Sequence, residues 1–366
     1  TGAYLEGNGR EFFNKIYGGD MKKLTLKIAL DLNDWGFNTV GYHYLSELSN
    51  YFPFMQDSYT ARISYWMGQP IYPDVFDPFY KKKVEENLEQ LFKKVRHNPN
   101  LIGYYWTDTP RWDLEKARNQ CNNDWVSTIR SLPASAPGKE KYVEFLFKTI
   151  KDPSEFEYYK EGKAPSYKKL LKSNFSNLDY THPLIEQHDR KFLRIIAHQY
   201  YSLAFEATKK VDSNHLIFGD RYLSGDHPIE VLEEALPYVD VISVQPYTIK
   251  FDREYFDHLY KRTRKPILIC DHAINFPTEE HSKTVWPQSK DESSAAHAYS
   301  EYLLDLFRCP YILGYHRCQY IDRKESKNSL LKQGFLRVDE NPYDVLVKQI
   351  SNSNYNILAL FDRKEN

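Results

Sequence analysis

Short apolar runs alternate with longer amphipathic stretches along most of this chain. The run Leu101-Ile102-Gly103-Tyr104-Tyr105-Trp106 is typical, since it follows a helix stop at Asn98-Pro99 and ends in the polar tip Thr107-Asp108-Thr109-Pro110. Strands that are apolar along their whole length are buried on both faces, as in parallel sheets covered by helices. The alternation of such strands with helices therefore predicts an α/β fold with a parallel sheet.

Seven apolar runs predict strands, at 35–43, 61–66, 101–106, 215–219, 239–244, 266–270 and 311–314. Apolar residues at helical spacing predict the main helices between them, at 81–97, 190–210, 229–236 and 294–307. A closed (β/α)8 barrel needs eight strands. We therefore predict a TIM (β/α)8 barrel that lacks its first strand or is truncated there.

Domain organisation follows from the same pattern. Residues 1–350 are predicted to form a single barrel-type catalytic domain, and 351–366 a charged C-terminal tail. Segment 113–181 fits no barrel unit, because it is rich in Lys, Tyr and Ser. We interpret it as a long insertion after the fourth strand, on the face that carries the strand ends. The alternative interpretation is a solvated excursion with no role.

The chain opens Thr-Gly-Ala-Tyr, with neither an initiator Met nor an apolar leader, so the start is expected to be processed, trimmed or incomplete. A secreted, periplasmic or surface-associated location is predicted, with the cytoplasm as the alternative. No apolar run has membrane-spanning length. The 49 Lys and Arg balance 50 Asp and Glu to a net charge of −1, so nucleic acid is not an expected partner. Oligomeric state stays open.

Cysteine and aromatic content narrow the chemistry further. The four cysteines form no CxxC pair and no metal-ligand spacing, so no cofactor is predicted. The chain holds 30 Tyr, 21 Phe and 6 Trp. Rings pair a flat apolar face with a polar tip, which suits stacking on sugars. Dense aromatic packing of the core explains the same composition equally well.

Polar and aromatic residues follow each predicted strand. In barrels the carboxyl ends of all strands meet on one face, where active sites lie. Aromatics for sugar faces and Arg, Gln and His for hydroxyls indicate a carbohydrate partner. The predicted substrate-binding residues are Tyr42, His43, Trp66, Trp106, Arg221, Tyr222, Gln245, Tyr247, His272, Trp286, His316, Gln319 and Tyr320, with Trp112 as a further sugar platform. Asp108 and Asp271 are the predicted catalytic carboxylates, because glycosidases use two that flank the scissile bond.

The order of these motifs resembles that of the clan A glycoside hydrolases, above all the agarase and β-galactosidase types such as glycoside hydrolase family 50. The resemblance covers most of 35–112 and 190–350. It implies an acid/base carboxylate at the end of the fourth barrel strand and a nucleophile at the end of the seventh. The motifs are Phe76-Asp77-Pro78-Phe79-Tyr80, Asn98-Pro99-Asn100 with the following strand, Gly219-Asp220-Arg221-Tyr222, Lys265 to Asp271, and Gly314 to Asp322.

The chain departs from that family pattern at the fourth strand. The family has an Asn-Glu pair there, whereas this chain has Asp108-Thr109. A Thr hydroxyl cannot serve as a general acid near neutral pH. Asp108 is one position away, and neighbouring residues of a strand point to opposite faces unless a turn at Pro110 relaxes that rule. Asp271 stands where Glu is expected, and its shorter side chain would widen the carboxylate gap and favour inversion.

Three functions are compatible with these residues. The first is a glycoside hydrolase that cleaves a galactan-like polysaccharide or oligosaccharide of agar, porphyran or carrageenan type. The second is a catalytically inactive carbohydrate-binding barrel, favoured by Thr109. The third is a metal-dependent barrel hydrolase that would use His43, His272 and His316, although their spacing matches no zinc motif. Glu279 and Glu280 are additional acid candidates.

Overall fold

Helices dominate the chain in a computed structural model that describes residues 8–176, 178–282, 284, 286–323 and 334–362. The helices are α1 (Asn8–Tyr17), α2 (Met21–Asp34), α3 (Pro78–Phe92), α4 (Leu114–Cys121), α5 (Trp125–Arg130), α6 (Pro137–Thr149), α7 (Tyr167–Lys172), α8 (Pro183–Val211), α9 (Ile229–Ala235), α10 (Arg253–Thr263), α11 (Glu292–Leu306) and α12 (Asp344–Asp362), with 3₁₀ helices at Ser46–Asn50 and Pro153–Tyr159.

Six strands follow one another along the sheet in chain order. They are β1 (Phe54–Gln56), β2 (Leu101–Asp108), β3 (Leu216–Leu223), β4 (Ile242–Gln245), β5 (Ile267–His272) and β6 (Ile312–Arg317). β4 pairs with β5, and β5 with β6, both in parallel. The predicted α/β class with a parallel sheet is therefore confirmed.

The chain divides into two compact units. The first comprises residues 1–56, 98–103 and 241–366, and the second comprises 57–97 and 104–240. Strands β4, β5 and β6 belong to the first unit, together with α11 and α12, which pack against each other. The second unit contains β3 and the long helix α8, which packs against α3 and α9.

Helix α8 organises the second unit. It begins with Pro183 in its first turn, where the backbone N–H has no partner within the helix and its absence is not destabilising. The ring of His182, the N-cap residue, accepts a hydrogen bond from Leu184 N. On its buried face, the hydroxyls of Tyr200 and Tyr201 make hydrogen bonds to side chains of β2 and β3. This helix therefore contributes donors to the sheet as well as apolar area.

The strand predicted at 61–66 is wrong. That stretch is a loop with two isolated antiparallel bridges, from Arg62 to Ile71 and from Ser64 to Pro110. The buried side chain of Arg111 fixes it by donating to Tyr65 O and to Met67 O at 3.0 Å. The strand of this region is instead β1, which has three residues.

The remaining predicted elements have counterparts. The predicted strand at 35–43 is reduced to a single parallel bridge from Val40 to Phe54. Segment 113–181 folds into α4 to α7 and a 3₁₀ helix. Helix α12 continues through position 351, where the sequence predicts a tail to start. Within the described ranges, no helix is both long and apolar enough to cross a membrane.

Candidate functional site

A buried ion pair joins the ends of β2 and β3 in the second unit. Arg221 Nη1 donates to Asp108 Oδ1 at 2.6 Å, and the two side chains are 2% and 8% exposed. The ring of Tyr105 lies 5.5 Å from the guanidinium carbon. The structure thus brings together two residues for which the sequence predicts different roles, Asp108 as a catalytic carboxylate and Arg221 as a substrate contact.

Thr109 follows this carboxylate in a left-handed backbone conformation, with φ of 43°. Its N–H donates to Arg221 O at 2.9 Å, and its hydroxyl lies 2.7 Å from that of Ser64. The side chain is almost completely buried. The position for which the sequence resemblance implies an acid is thus filled by a small hydroxyl held in a hydrogen bond.

The opposite face of β3 carries a carboxyl that sequence reasoning did not select. Asp220 is buried against α8, where Oδ1 accepts from Thr107 N at 3.1 Å and from Tyr200 OH at 3.2 Å. Oδ2 accepts from Tyr201 OH at 2.9 Å and from Trp112 Nε1 at 3.2 Å. Burial raises the pKa of Asp220 to about 7, although all four hydrogen bonds lower it.

Alternation along β3 explains this division. Successive side chains of a strand point to opposite faces, so Asp220 and Tyr222 contact α8 while Arg221 contacts Asp108. The sequence does contain a signal for Asp220: it is an Asp within an apolar strand, and Arg221, a predicted substrate contact, follows it directly. Tyr222 is buried, and its hydroxyl lies 2.8 Å from that of Tyr201. In this structure Tyr222 is therefore a core residue, not an open sugar contact.

The three predicted sugar platforms of the second unit differ sharply in exposure. Trp66 is 47% exposed and can offer a ring face. Trp106 is fully buried, and its Nε1 donates to Thr208 Oγ1 at 3.0 Å. Trp112 is also fully buried and stacks on Trp125 at 4.8 Å. Trp106 and Trp112 thus pack in the core with no ring face open to a sugar.

In the first unit, β5 ends in two residues with different surroundings. His272 is completely buried, stacks on Tyr302 of α11 at 4.0 Å, and has Nε2 2.9 Å from Thr248 O. Burial lowers the pKa of His272 to about 3, so the ring is neutral. Asp271, the residue before it, is half-buried, and the pairing of β5 with β6 is irregular between Ile269 and His272. His272 therefore packs under a helix and offers nothing to a sugar, whereas Asp271 is accessible.

An aromatic pair lies beyond the end of β4 in the same unit. The rings of Tyr247 and Trp286 stack with centroids 3.9 Å apart and planes 9° apart. Tyr247 is buried, whereas Trp286 is half-buried and keeps part of its ring open. Gln245, the last residue of β4, is also buried. Trp286 is thus the more exposed aromatic of this pair.

His316 of β6 lies against the backbone near the Val40 bridge. Its Nε2 is 3.4 Å from Thr39 Oγ1. A Cβ at Gly41 would approach His316 Nδ1 to 2.2 Å, so only glycine leaves room for the ring. The neighbouring rings of Tyr42 and His43 lie 4.1 Å apart, and His43 is exposed. This side of the first unit therefore gathers three of the predicted contacts.

The last two predicted contacts follow β6. Tyr320 stacks on Trp35 at 5.8 Å, and its hydroxyl donates to Asp31 and accepts from Lys27 at 3.0 Å. It therefore packs against α2. Gln319 is half-buried, and its Nε2 makes no hydrogen bond within the described part of the chain. The spare acid candidates Glu279 and Glu280 are exposed in the loop after β5.

Backbone strain marks several of these strand ends. His43, Thr109 and Tyr247 all adopt positive φ, at 59°, 43° and 44°. Such conformations cost roughly 1–3 kcal/mol each in a residue other than glycine, and they concentrate at functional sites. Among the described residues, no group of three or more His, Cys, Asp or Glu side chains is placed to hold a metal ion. The metal hypothesis therefore gains no ligand set.

Comparison with known proteins places these features in a family context. No family model matches the chain. The β-agarase B of Vibrio sp. (strain JT0107) is 24% identical over 396 aligned residues, which cover 100% of this chain and 40% of that protein. The chain thus spans well under half the length of this curated relative.

Solved structures agree on the fold. An exo-β-agarase matches 92% of this chain and 47% of its own, with a TM-score of 0.79 and 20% identity. The protein PfGH50B matches 95% of this chain and 52% of its own, with a TM-score of 0.80 and 20% identity. The resemblance predicted from the motif order is thereby confirmed: the chain resembles the agarases of glycoside hydrolase family 50.

Proposed function

We propose that the chain is the barrel part of a glycoside hydrolase that cleaves O-glycosidic bonds in an agar-type galactan. The observation that carries the proposal is Asp271, a carboxylate at the end of β5 that stays partly open to solvent while its neighbour His272 is completely buried. Its position in the motif order is that of the family nucleophile. The names of the related agarases support the substrate class.

In this proposal Asp271 attacks the anomeric carbon directly or activates a water to do so. Asp108 is the second carboxylate. Because it accepts a hydrogen bond from Arg221, we assign it to orient a sugar hydroxyl and to stabilise positive charge at the anomeric carbon. Protonation of the leaving group is the weak step, since Thr109 stands at the family's acid position.

The absence of an acidic side chain at position 109 can be tested with substrates whose leaving groups differ in their need for a proton. An aryl galactoside with an acidic phenol as leaving group needs no proton donor, whereas a natural sugar leaving group does. We expect the wild-type chain to cleave the aryl substrate much faster than neutral agar oligosaccharides. Thr109→Glu should raise turnover of the oligosaccharides, and Asp271→Asn should abolish both activities. A Thr109→Gln variant controls for side-chain size.

The presence of Thr109 at the proposed acid position also favours a second function. The hydroxyl of Thr109 is buried beside Ser64, so this position offers no carboxyl group that could protonate a leaving group. A catalytically inactive carbohydrate-binding barrel would bind the oligosaccharides in calorimetry. It would turn over neither substrate, and Asp271→Asn would leave its affinity unchanged.

We further infer that the parallel sheet belongs to a (β/α)8 barrel, since its strands follow the chain order and alternate with helices. We propose residues 1–350 as one catalytic domain with 113–181 inserted at the strand ends. A polymeric galactan does not enter cells, so we infer a secreted, periplasmic or surface-associated enzyme. Small-angle scattering and fractionation of the source cells would test these inferences.

A further inference from the structure

The second unit contains a cleft of 640 Å³, which we call the insertion cleft. It lies between α4, the start of α8 and the start of α9. Nine of its fifteen lining residues, from Asp113 to Thr181, belong to segment 113–181. Its volume is within the range of small-molecule sites, about 300–1,000 Å³. The inserted segment therefore builds a cleft as well as covering the unit.

Paired charges fix the walls of the insertion cleft. Arg118 Nη1 lies 3.1 Å from Asp124 Oδ2, and the Tyr180 ring lies 4.6 Å from the Arg118 guanidinium carbon. Arg190 Nη1 lies 2.8 Å from Glu230 Oε1 on the far side. The buried side chains of Leu114 and Leu193 form an apolar floor. The cleft is thus a built surface with charged walls and an apolar floor.

The charge balance of the insertion cleft disfavours an anion. Both guanidinium groups already engage carboxylates of the protein. Carboxylates exceed guanidiniums by five to two, the five being Asp113, Glu115, Glu186, Asp189 and Glu230 against Arg118 and Arg190. A sulfated or carboxylated chain would therefore meet like charge in a partly desolvated site. A neutral ligand meets no such repulsion.

The polar groups at the rim suit a polyhydroxylated ligand. The side-chain amides of Asn119 and Asn122 make no hydrogen bond within the part of the chain that the structure describes, and each supplies both donors and acceptors. Carboxylates nearby accept hydroxyl hydrogens, and the Tyr180 ring and the apolar floor match the C–H faces of sugar rings. Neutral sugars combine these two kinds of surface.

The insertion cleft is also close to Asp108 along the chain. Asp113 follows Asp108 by five residues, which can separate the two by at most about 18 Å. Pro228 and Glu230, on the far wall, follow Arg221 within nine residues. A galactan chain held near the Asp108–Arg221 pair is thus within reach of the cleft.

We propose that the insertion cleft is an additional binding site for neutral galactan chains, which holds the polymer beside the catalytic strand ends and rejects sulfated chains. The proposal rests on the proposed function for the identity of the sugar. It gives segment 113–181 a role in choosing among galactans, which the acid and nucleophile positions do not supply.

Calorimetry with the full chain tests the proposal. Neutral agar oligosaccharides should bind at least about tenfold more tightly than sulfated oligosaccharides of equal length, a difference of about 1.4 kcal/mol. Asn119→Trp and Glu115→Trp, which place a ring in the cleft, should each weaken binding of the neutral chain by about tenfold or more. Glu140→Trp is the matched control, since Glu140 is exposed on α6 and lies outside the cleft.

Two results would overturn the proposal: equal affinity of wild type and both cleft variants for the neutral chain, or preference of the wild type for the sulfated chain. Melting temperatures equal to that of wild type ensure that the variants are folded. Turnover reports separately on the proposed function. A chain that binds neutral galactan through the cleft but cleaves nothing would refute the hydrolase and leave the insertion cleft established.

Discussion

Asp220→Asn is the substitution whose effect the structure specifies most closely. The carboxyl of Asp220 is buried, and burial raises its pKa from an ordinary value of 3.8 to about 7. In the unfolded chain the same group titrates near its ordinary value. Between about pH 4 and pH 7 the folded chain therefore keeps a proton that the unfolded chain has released.

The sign of the effect on stability follows from this difference. Since the folded state binds more protons in that window, the free energy of unfolding falls as pH rises. Each unit of pKa difference is worth about 1.4 kcal/mol, so a difference of roughly three units amounts to about 4 kcal/mol. The contribution is fully present below pH 4 and is lost by pH 7.

Asparagine removes the titration and changes the hydrogen bonds. Its single carbonyl oxygen can face either Thr107 N or Trp112 Nε1, and its NH₂ group then meets the other fixed N–H. Leaving one buried donor unsatisfied costs about 1–3 kcal/mol. The variant should thus be less stable than wild type at pH 4.5, and the deficit should vanish or reverse at pH 8.

Urea unfolding from pH 4.5 to pH 8.5, followed by tryptophan fluorescence, measures this crossover. Trp106, Trp112 and Trp125 are all buried in the second unit, so three of the six tryptophans report on the unit that contains Asp220. Tyr201→Phe is an informative companion, because it removes a hydrogen bond that lowers the pKa of Asp220 and should extend the titration to higher pH. Parallel pH profiles for wild type and Asp220→Asn would refute the reasoning.

Two further substitutions test other contacts. Gly41→Ala would place a Cβ 2.2 Å from His316 Nδ1, so we expect a loss of about 1–3 kcal/mol in thermal unfolding; Gly68→Ala, with no atom within 4 Å, should change little, and similar losses for both would contradict the argument. Arg221→Met should lower the free energy of unfolding by about 3–5 kcal/mol, because it removes the cation that pairs with the buried carboxylate of Asp108. The double variant Asp108→Leu/Arg221→Met should recover most of that loss. Additive losses in the double-mutant cycle would show that the pair is not coupled.

Periodicity predicted the long elements of this fold well. The stripe of apolar residues at 294–307 corresponds to α11, and the run at 266–270 corresponds to β5. The error at 61–66 has a physical cause. The bridges from Arg62 and Ser64 and the buried Arg111 are tertiary contacts, which leave no periodic trace. The neighbouring β1 was missed because three residues carry too little pattern to register as a strand.

The site shows the same limit more clearly. Tyr65-Trp66 and Tyr105-Trp106 are the same dipeptide at the end of a similar apolar run, yet Trp66 is 47% exposed and Trp106 is fully buried. Residues 61–66 form a loop, whereas Trp106 lies in β2 and donates to Thr208 of α8. Local sequence identifies which strand ends carry rings and carboxylates. Which of them remain open depends on how distant helices pack.

Both the Asp108–Arg221 ion pair and the hydrogen bonds of Asp220 depend on side chains of strand β3. β3 turns Arg221 toward Asp108 and Asp220 toward α8, and Asp220 also accepts from the N–H of Thr107, the residue before Asp108. The buried carboxyl of Asp220 therefore fixes the strand end that carries Asp108. In the second unit this arrangement supplies a hydrogen-bond acceptor and a cation, while the acid position holds the hydroxyl of Thr109. In the proposed hydrolase, cleavage of a sugar leaving group needs a proton donor, so a gain of turnover in Thr109→Glu would separate a hydrolase with a weakened acid from a binding protein.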